Sequence, residues 1–364
     1  MCEVLKNVVN RKHKMKTERE IMQATANAAS KLHQVYDGIV ALGEGIVPLY
    51  DAIEGFFFQD VDYHMFDSML PFWMVNAGRS PESSIDKETY EKLRFVYNDP
   101  LSNRVIHWVD VQAVIAAFQD KVLSVNNYLM DIFEYLPAFC LYNDDEYESC
   151  NRILNDTSNH VYNAINNVFV SLCSSFDLFT KIVFECSHYN INNFTEYTKL
   201  KSRKENILYK KGNSGYDDLK AEGQLYSEPP CIRTACSFRD EFIHNGAWDY
   251  RCAIYYPFID GNPVEPFMVM PDTDDLGHLV TSGSRNKFYT KSNKINVFLP
   301  SFVEDVTKVL SRTVTSLKDV LRKNTTPLPQ SNRDKNTTDY IELLSTKMRN
   351  LDIIKKKYDH KKGT

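Results

Sequence analysis

The chain has 364 residues, 43% of them hydrophobic, with 21 Tyr and 21 Phe. That is enough apolar matter for one large or two modest domains, and it excludes a globally disordered polypeptide. A formal net charge of −5 excludes a polycation, so any nucleic-acid binding would need a local basic patch.

Residues 1–16 carry scattered charges and no apolar core, so no signal peptide is expected. No run of about 18 uncharged apolar residues is present to span a bilayer. The eight cysteines show no CxxC pair and no zinc-ligand spacing. Cys173 and Cys186 fall in apolar surroundings and read as small buried hydrophobes. Together these features point to a reduced, cytoplasmic protein with no structural metal.

Most of the chain reads as helix. From Thr17 to Phe58, Ala28, Leu32, Val35, Ile39, Leu42 and Ile46 recur at spacings of four and three, the mark of one helix face. Gly43, Gly45 and Pro48 are expected to kink or interrupt it. Residues 74–103 are rich in turn formers and predict a loop with a short helix. Helical periodicity returns from Ile106 to Tyr135 and ends at Pro137. The strongest helical pattern runs from about Asp145 to His188, with Val161, Ile165, Val168, Leu172, Phe179 and Ile182 on one stripe. Its other side carries a polar line: Asp177, Lys181, Glu185 and His188. Such a line is either a solvated face with i,i+4 ion pairs or one wall of a cleft.

Residues 190–230 are loop-rich and basic, with Lys199, Lys201, Arg203, Lys204, Lys210 and Lys211 interrupted only by Glu205. The run is either a solvated loop or a patch for phosphate backbones. Pro229 and Pro230 then open a helix, with Ser227 or Glu228 as its expected cap. After that helix the pattern becomes strand-like at 252–256, 266–270 and 295–299, which predicts a small β appendage between residues 250 and 299. Helix is expected again from Pro300 to Arg322, a polar linker over 323–338, and a basic, weakly amphipathic tail helix over 339–362. The resulting segments are an N-terminal helical region (1–140), a helical domain with a β insertion (145–323), and a linker with a basic tail (324–364).

One constellation stands above background. Arg239-Asp240-Glu241-Phe242-Ile243-His244 is followed directly by Asn245-Gly246, a helix stop. His244 therefore sits in the last turn, where the helix dipole favours its protonated form. Asp240 lies one turn before it on the same face. A histidine able to gain and lose a proton near a permanent cation suits phosphodiester chemistry. The plainer reading is an amphipathic helix with a surface Arg and a capping His. No Gly-rich phosphate loop, HExxH, GxSxG elbow or Asp-rich metal motif offers a competing chemistry.

The pattern Arg, polar residue, three residues, His resembles the signature of the HEPN superfamily of ribonucleases. The likeness also rests on the amphipathic helix before the motif and the closing helix over 300–322. It covers roughly residues 145–323, although only Arg239–Gly246 is specific. It implies a mainly α, HEPN-like bundle, here with a small β appendage after the motif helix. That insertion and the long N-terminal half exceed the minimal four-helix unit; the insertion is similar to larger HEPN-like proteins of prokaryotic toxin and defence loci.

The implied activity is a metal-independent endoribonuclease. The RNA 2′-hydroxyl attacks the adjacent phosphorus, giving a 2′,3′-cyclic phosphate and a 5′-hydroxyl. In that scheme His244 is the general acid/base, Arg239 holds the scissile phosphate, and Asp240 orients His244. Lys181, Glu185, Lys201, Arg203 and Lys204 would contact the RNA. No cofactor or metal is implied. The expected partners are RNA, a second copy of the chain or a partner HEPN chain, and an antitoxin or defence-complex component, with no membrane. The alternative is a non-catalytic HEPN-like interaction or scaffold module.

Overall fold

A computed structural model describes residues 32–136, 150–190, 200, 215–246, 248, 252–259, 262–263, 265–290 and 293–362. The fold is mainly α. Its long helices are α1 (32–57), α4 (Pro100–Tyr135), α5 (Asp156–Ser187), α6 (Pro230–Asn245), α7 (Ile295–Asn324) and α8 (Gln330–Lys362), with the shorter α2 (Phe72–Val75) and α3 (Lys87–Val96) between α1 and α4. Strands β1 (Cys150–Ile153), β2 (Ile254–Ile259) and β3 (Asn262–Pro263) form an antiparallel ladder in the order β1–β2–β3.

The chain forms two compact units, each drawn from three separate stretches rather than from contiguous segments. The first comprises Met1–Gly45, Phe118–Asp177 and Leu219–Val314; the second comprises Ile46–Ala117, Leu178–Asp218 and Thr315–Thr364.

In the first unit, an aromatic cluster holds the helices together. Phe169 of α5 stacks on Phe238 of α6 with centroids 4.9 Å apart. Trp248, just past α6, packs edge-on to Phe238 at 5.3 Å and meets Phe242 at 4.7 Å. Phe302 of α7 approaches Phe169 at 5.3 Å. Phe169, Phe238 and Trp248 are buried. Rings of this size contribute the largest apolar area of any side chains, plus about 0.5–1.5 kcal/mol per well-arranged pair.

In the second unit, a buried charge organises the packing. Arg104 of α4 grips Asp60 with both terminal nitrogens, at 2.6 and 3.2 Å, and donates to the Phe57 carbonyl at 3.0 Å. Tyr189 donates to the same carbonyl at 2.9 Å. Its ring stacks on buried His107. Burial pushes the Tyr189 hydroxyl up to about 12 and the His107 imidazole down to about 4. Helix α8 docks through its first turns: Arg333 donates to the Val61 carbonyl, and Tyr340 meets Ser102 at 2.8 Å.

Several sequence expectations are corrected. Of the kink or interruption expected at Gly43, Gly45 and Pro48, the interruption does not occur: helix α1 is continuous through all three. Two Gly and one Pro cost about 1, 1 and 3 kcal/mol in a helix interior. The buried stripe Val35, Ile39, Leu42, Ile46, Leu49 and Ile53 returns about 1.5–3 kcal/mol per residue. Residues 150–153, expected as helix, pair with β2 instead. Helix α5 starts only at Asp156, behind reciprocal Asn155–Ser158 bonds of 3.0 Å that close its first turn.

Residues 295–299, expected as strand, open α7, with Pro300 inside the helix. The stripe Ile295, Leu299, Phe302, Val303, Val306 is buried as a helical face, and Phe298 stacks on Phe302 at 5.2 Å, four residues on. Over 266–270 there are only single bridges, Tyr255–Phe267 and Val269–Lys294. The linker is confined to 325–329, and 330–338 are helical because Pro327 and Pro329 already supply the break. Residues 17–31 lie outside the described residues.

By length and composition α5 is apolar enough to cross a bilayer. Its stripe is instead covered by protein, with Ile165, Val168, Phe169, Phe176, Phe179, Ile182 and Val183 all buried.

Candidate functional site

Helix α6 carries the motif. Pro229 is its N-cap, with extended backbone and no side-chain cap bond, and Pro230 occupies the first helical position, so neither expected cap, Ser227 nor Glu228, is used. Proline at that position removes an amide that would otherwise lack a partner. Gly246 follows the last turn at φ 82°, a positive φ that glycine adopts without the cost a side chain would bring. This places His244 in the last turn, with its side chain exposed.

Arg239 and His244 are five residues apart, about 140° around the helix. Within one copy of α6 they therefore point to different sides. Arg239 is three-tenths exposed, and its Nη1 donates to Asp240 Oδ1 at 2.7 Å. That bond is the largest cause holding the guanidinium above its ordinary pKa, with burial opposing it. So the Asp240 carboxylate engages Arg239, its sequence neighbour. Among the described residues no side-chain hydrogen bond or ion pair joins Asp240 to His244.

Asp177 of α5 lies close enough to the same guanidinium to interact with it electrostatically. Surrounding protein raises its pKa, Arg239 pulls it down, and Asp240 raises it further. Arg239 is thus hydrogen-bonded to one carboxylate and within electrostatic reach of a second. Beneath them, Cys173 of α5 lies 4.0 Å from Cys236 of α6, sulfur to sulfur. Burial drives the Cys173 thiol well up, and Cys236 adds to the rise.

The remaining sequence candidates divide. Lys181 and Glu185 belong to the second unit; Lys181 is half-buried and Glu185 is buried rather than solvated. His188, the last residue of the polar line, stacks on Phe184 at 3.9 Å. Lys201, Arg203 and Lys204, with the rest of that basic run, lie outside the described residues. Among the described residues no cluster of His, Cys, Asp and Glu could hold a metal ion.

Sequence reading missed the partner of Glu241. This carboxylate is buried, accepts from Asn245 at 2.7 Å, and forms an ion pair with Lys287. Its burial was legible in the spacing of Phe238, Glu241, Phe242 and Asn245 on one helix face; Lys287, 46 positions away, carried no signal. Comparison with family models, with curated proteins and with solved structures finds no match to this chain.

Proposed function

We propose that the chain is a metal-independent endoribonuclease of HEPN type. The observation that carries this reading is the placement of His244: exposed, in the last turn of α6, on the same short helix as a partly exposed Arg239. In this scheme His244 takes the proton from the RNA 2′-hydroxyl or protonates the departing 5′-oxygen. Arg239 stabilises the charge that builds on the phosphorane. Asp240 holds Arg239 until a phosphate replaces it. Because Arg239 and His244 diverge around α6, a second copy of the chain would supply the complementary half of a composite site, as closed two-fold dimers do.

End-group analysis of cleaved RNA tests the reading. The mechanism requires 2′,3′-cyclic phosphate and 5′-hydroxyl ends, produced in EDTA. A 5′-phosphate product, or a requirement for added metal, overturns it.

The Arg239–Asp240 ion pair favours a second reading, a non-catalytic interaction module, because the cation is already neutralised in the free chain. Absence of cleavage alongside stable capture of a protein partner through α6 would support that reading.

A further inference from the structure

Two thiols of the first unit take no part in the scheme above. Cys173 of α5 and Cys236 of α6 are buried, with their sulfurs 4.0 Å apart. An S–S bond is about 2 Å long, so forming one asks for a further approach of about 2 Å, shared by rotation of both side chains about their Cα–Cβ bonds. The two helices are already held together at this level. Phe169, four residues before Cys173, stacks on Phe238, two residues after Cys236, with centroids 4.9 Å apart.

The pair adjoins the motif. Asp177 lies four residues after Cys173 on α5, and Arg239 lies three residues after Cys236 on α6, so each shares a helix face with its cysteine. Burial drives the Cys173 thiol up and Cys236 adds to the rise, whereas Arg239 favours the thiolate, which is the reactive form.

We propose that Cys173 and Cys236 are a reversible oxidation site, converted by a small hydroperoxide into a disulfide that bolts α5 to α6 one turn from Asp177 and Arg239. Burial selects a small uncharged oxidant, admitted by local opening. One sulfur, as its thiolate, attacks a peroxide oxygen. The O–O bond breaks, leaving a sulfenic acid and a hydroxide that takes up the proton the thiol released. The second thiol attacks the sulfenic sulfur, the S–S bond forms and water leaves. With hydrogen peroxide, two thiols give one disulfide and two waters, both electrons passing from sulfur to oxygen. The cysteines are 63 positions apart, so the bond removes freedom chiefly from the unfolded chain and keeps α5 on α6. The assignment involves no RNA and stands apart from the ribonuclease reading.

The test treats the full, reduced chain with hydrogen peroxide and maps its peptides without reduction by mass spectrometry. A cross-linked peptide pair holding Cys173 and Cys236 is expected, and dithiothreitol should release it. The oxidised chain should melt a few degrees higher than the reduced one and return to the reduced value with dithiothreitol. Cys236→Ala and, separately, Cys173→Ala should each lose the cross-linked pair and the peroxide-induced rise; the unmodified chain carries the test if either variant fails to fold. Peroxide that leaves both thiols free, joins them only to other cysteines, or takes them to sulfinic acid without a bond overturns the site. A Cys173–Cys236 bond that leaves the melting temperature unchanged or lower overturns the bolt.

Discussion

Arg239 donates to Asp240 at 2.7 Å, so the cation proposed to meet the scissile phosphate is held by the residue beside it in sequence. Asp177 of α5 acts on the same guanidinium electrostatically. The local field at Arg239 is therefore restrained, and the restraint is removable.

Asp240→Asn should release it. The pair is partly exposed, so its contribution is at most about 1 kcal/mol, or roughly fivefold in an equilibrium constant. RNA binding to this variant, followed by fluorescence anisotropy, should tighten by up to that factor. If Asp240 instead served to orient His244, binding would stay constant and turnover would fall.

The Lys287–Glu241 pair ties the segment after the β ladder to α6. Lys287→Ala leaves a buried carboxylate with Asn245 as its remaining partner among the described residues. Loss of about 2 kcal/mol is expected, below the 3–5 of a fully buried pair because Lys287 keeps part of its side chain in solvent. Urea unfolding should recover most of that loss when Glu241→Gln is added. Independent, additive effects of the two changes would show that the pair is not coupled.

His107 gives the second unit a pH dependence of defined sign. Burial lowers its pKa from 6.5 to about 4. Between those values the unfolded chain binds more protons than the folded one, so stability is lost as pH falls from about 6.5 through about 4. The contribution is up to about 3 kcal/mol, at 1.36 kcal/mol per unit. His107→Leu should flatten this part of the stability profile. An unaltered acid limb in the variant would assign the loss to other groups.

Much of the helical frame was legible from periodicity. The stripes of α4, α5 and α7 and the Asn-Gly stop of α6 follow from 3.6-residue spacing and turn chemistry, whereas the tail helix starts nine residues before its expected position. What was not legible depended on distant partners. Cys150–Ile153 reads as a helical lead-in until β2, some hundred positions later, pairs with it. Ile295–Leu299 is β-branched and aromatic, as a strand would be, but its burial pattern continues the α7 stripe. Pro48 signals a break that the buried face of α1 overrides. At the site, sequence placed His244 and Arg239 on one helix end. It could not show that Asp240 engages its neighbour Arg239 rather than His244, or that Asp177 of α5 interacts electrostatically with the same cation.

Cleavage of total RNA in EDTA by the unmodified chain, Arg239→Ala and His244→Ala tests the central claim most directly. General acid/base and charge-stabilising groups contribute about 10²–10⁴-fold and about 10²–10³-fold respectively. Each substitution should therefore abolish detectable cleavage while circular dichroism and melting temperature stay unchanged. Full cleavage by a folded His244→Ala variant would contradict the account.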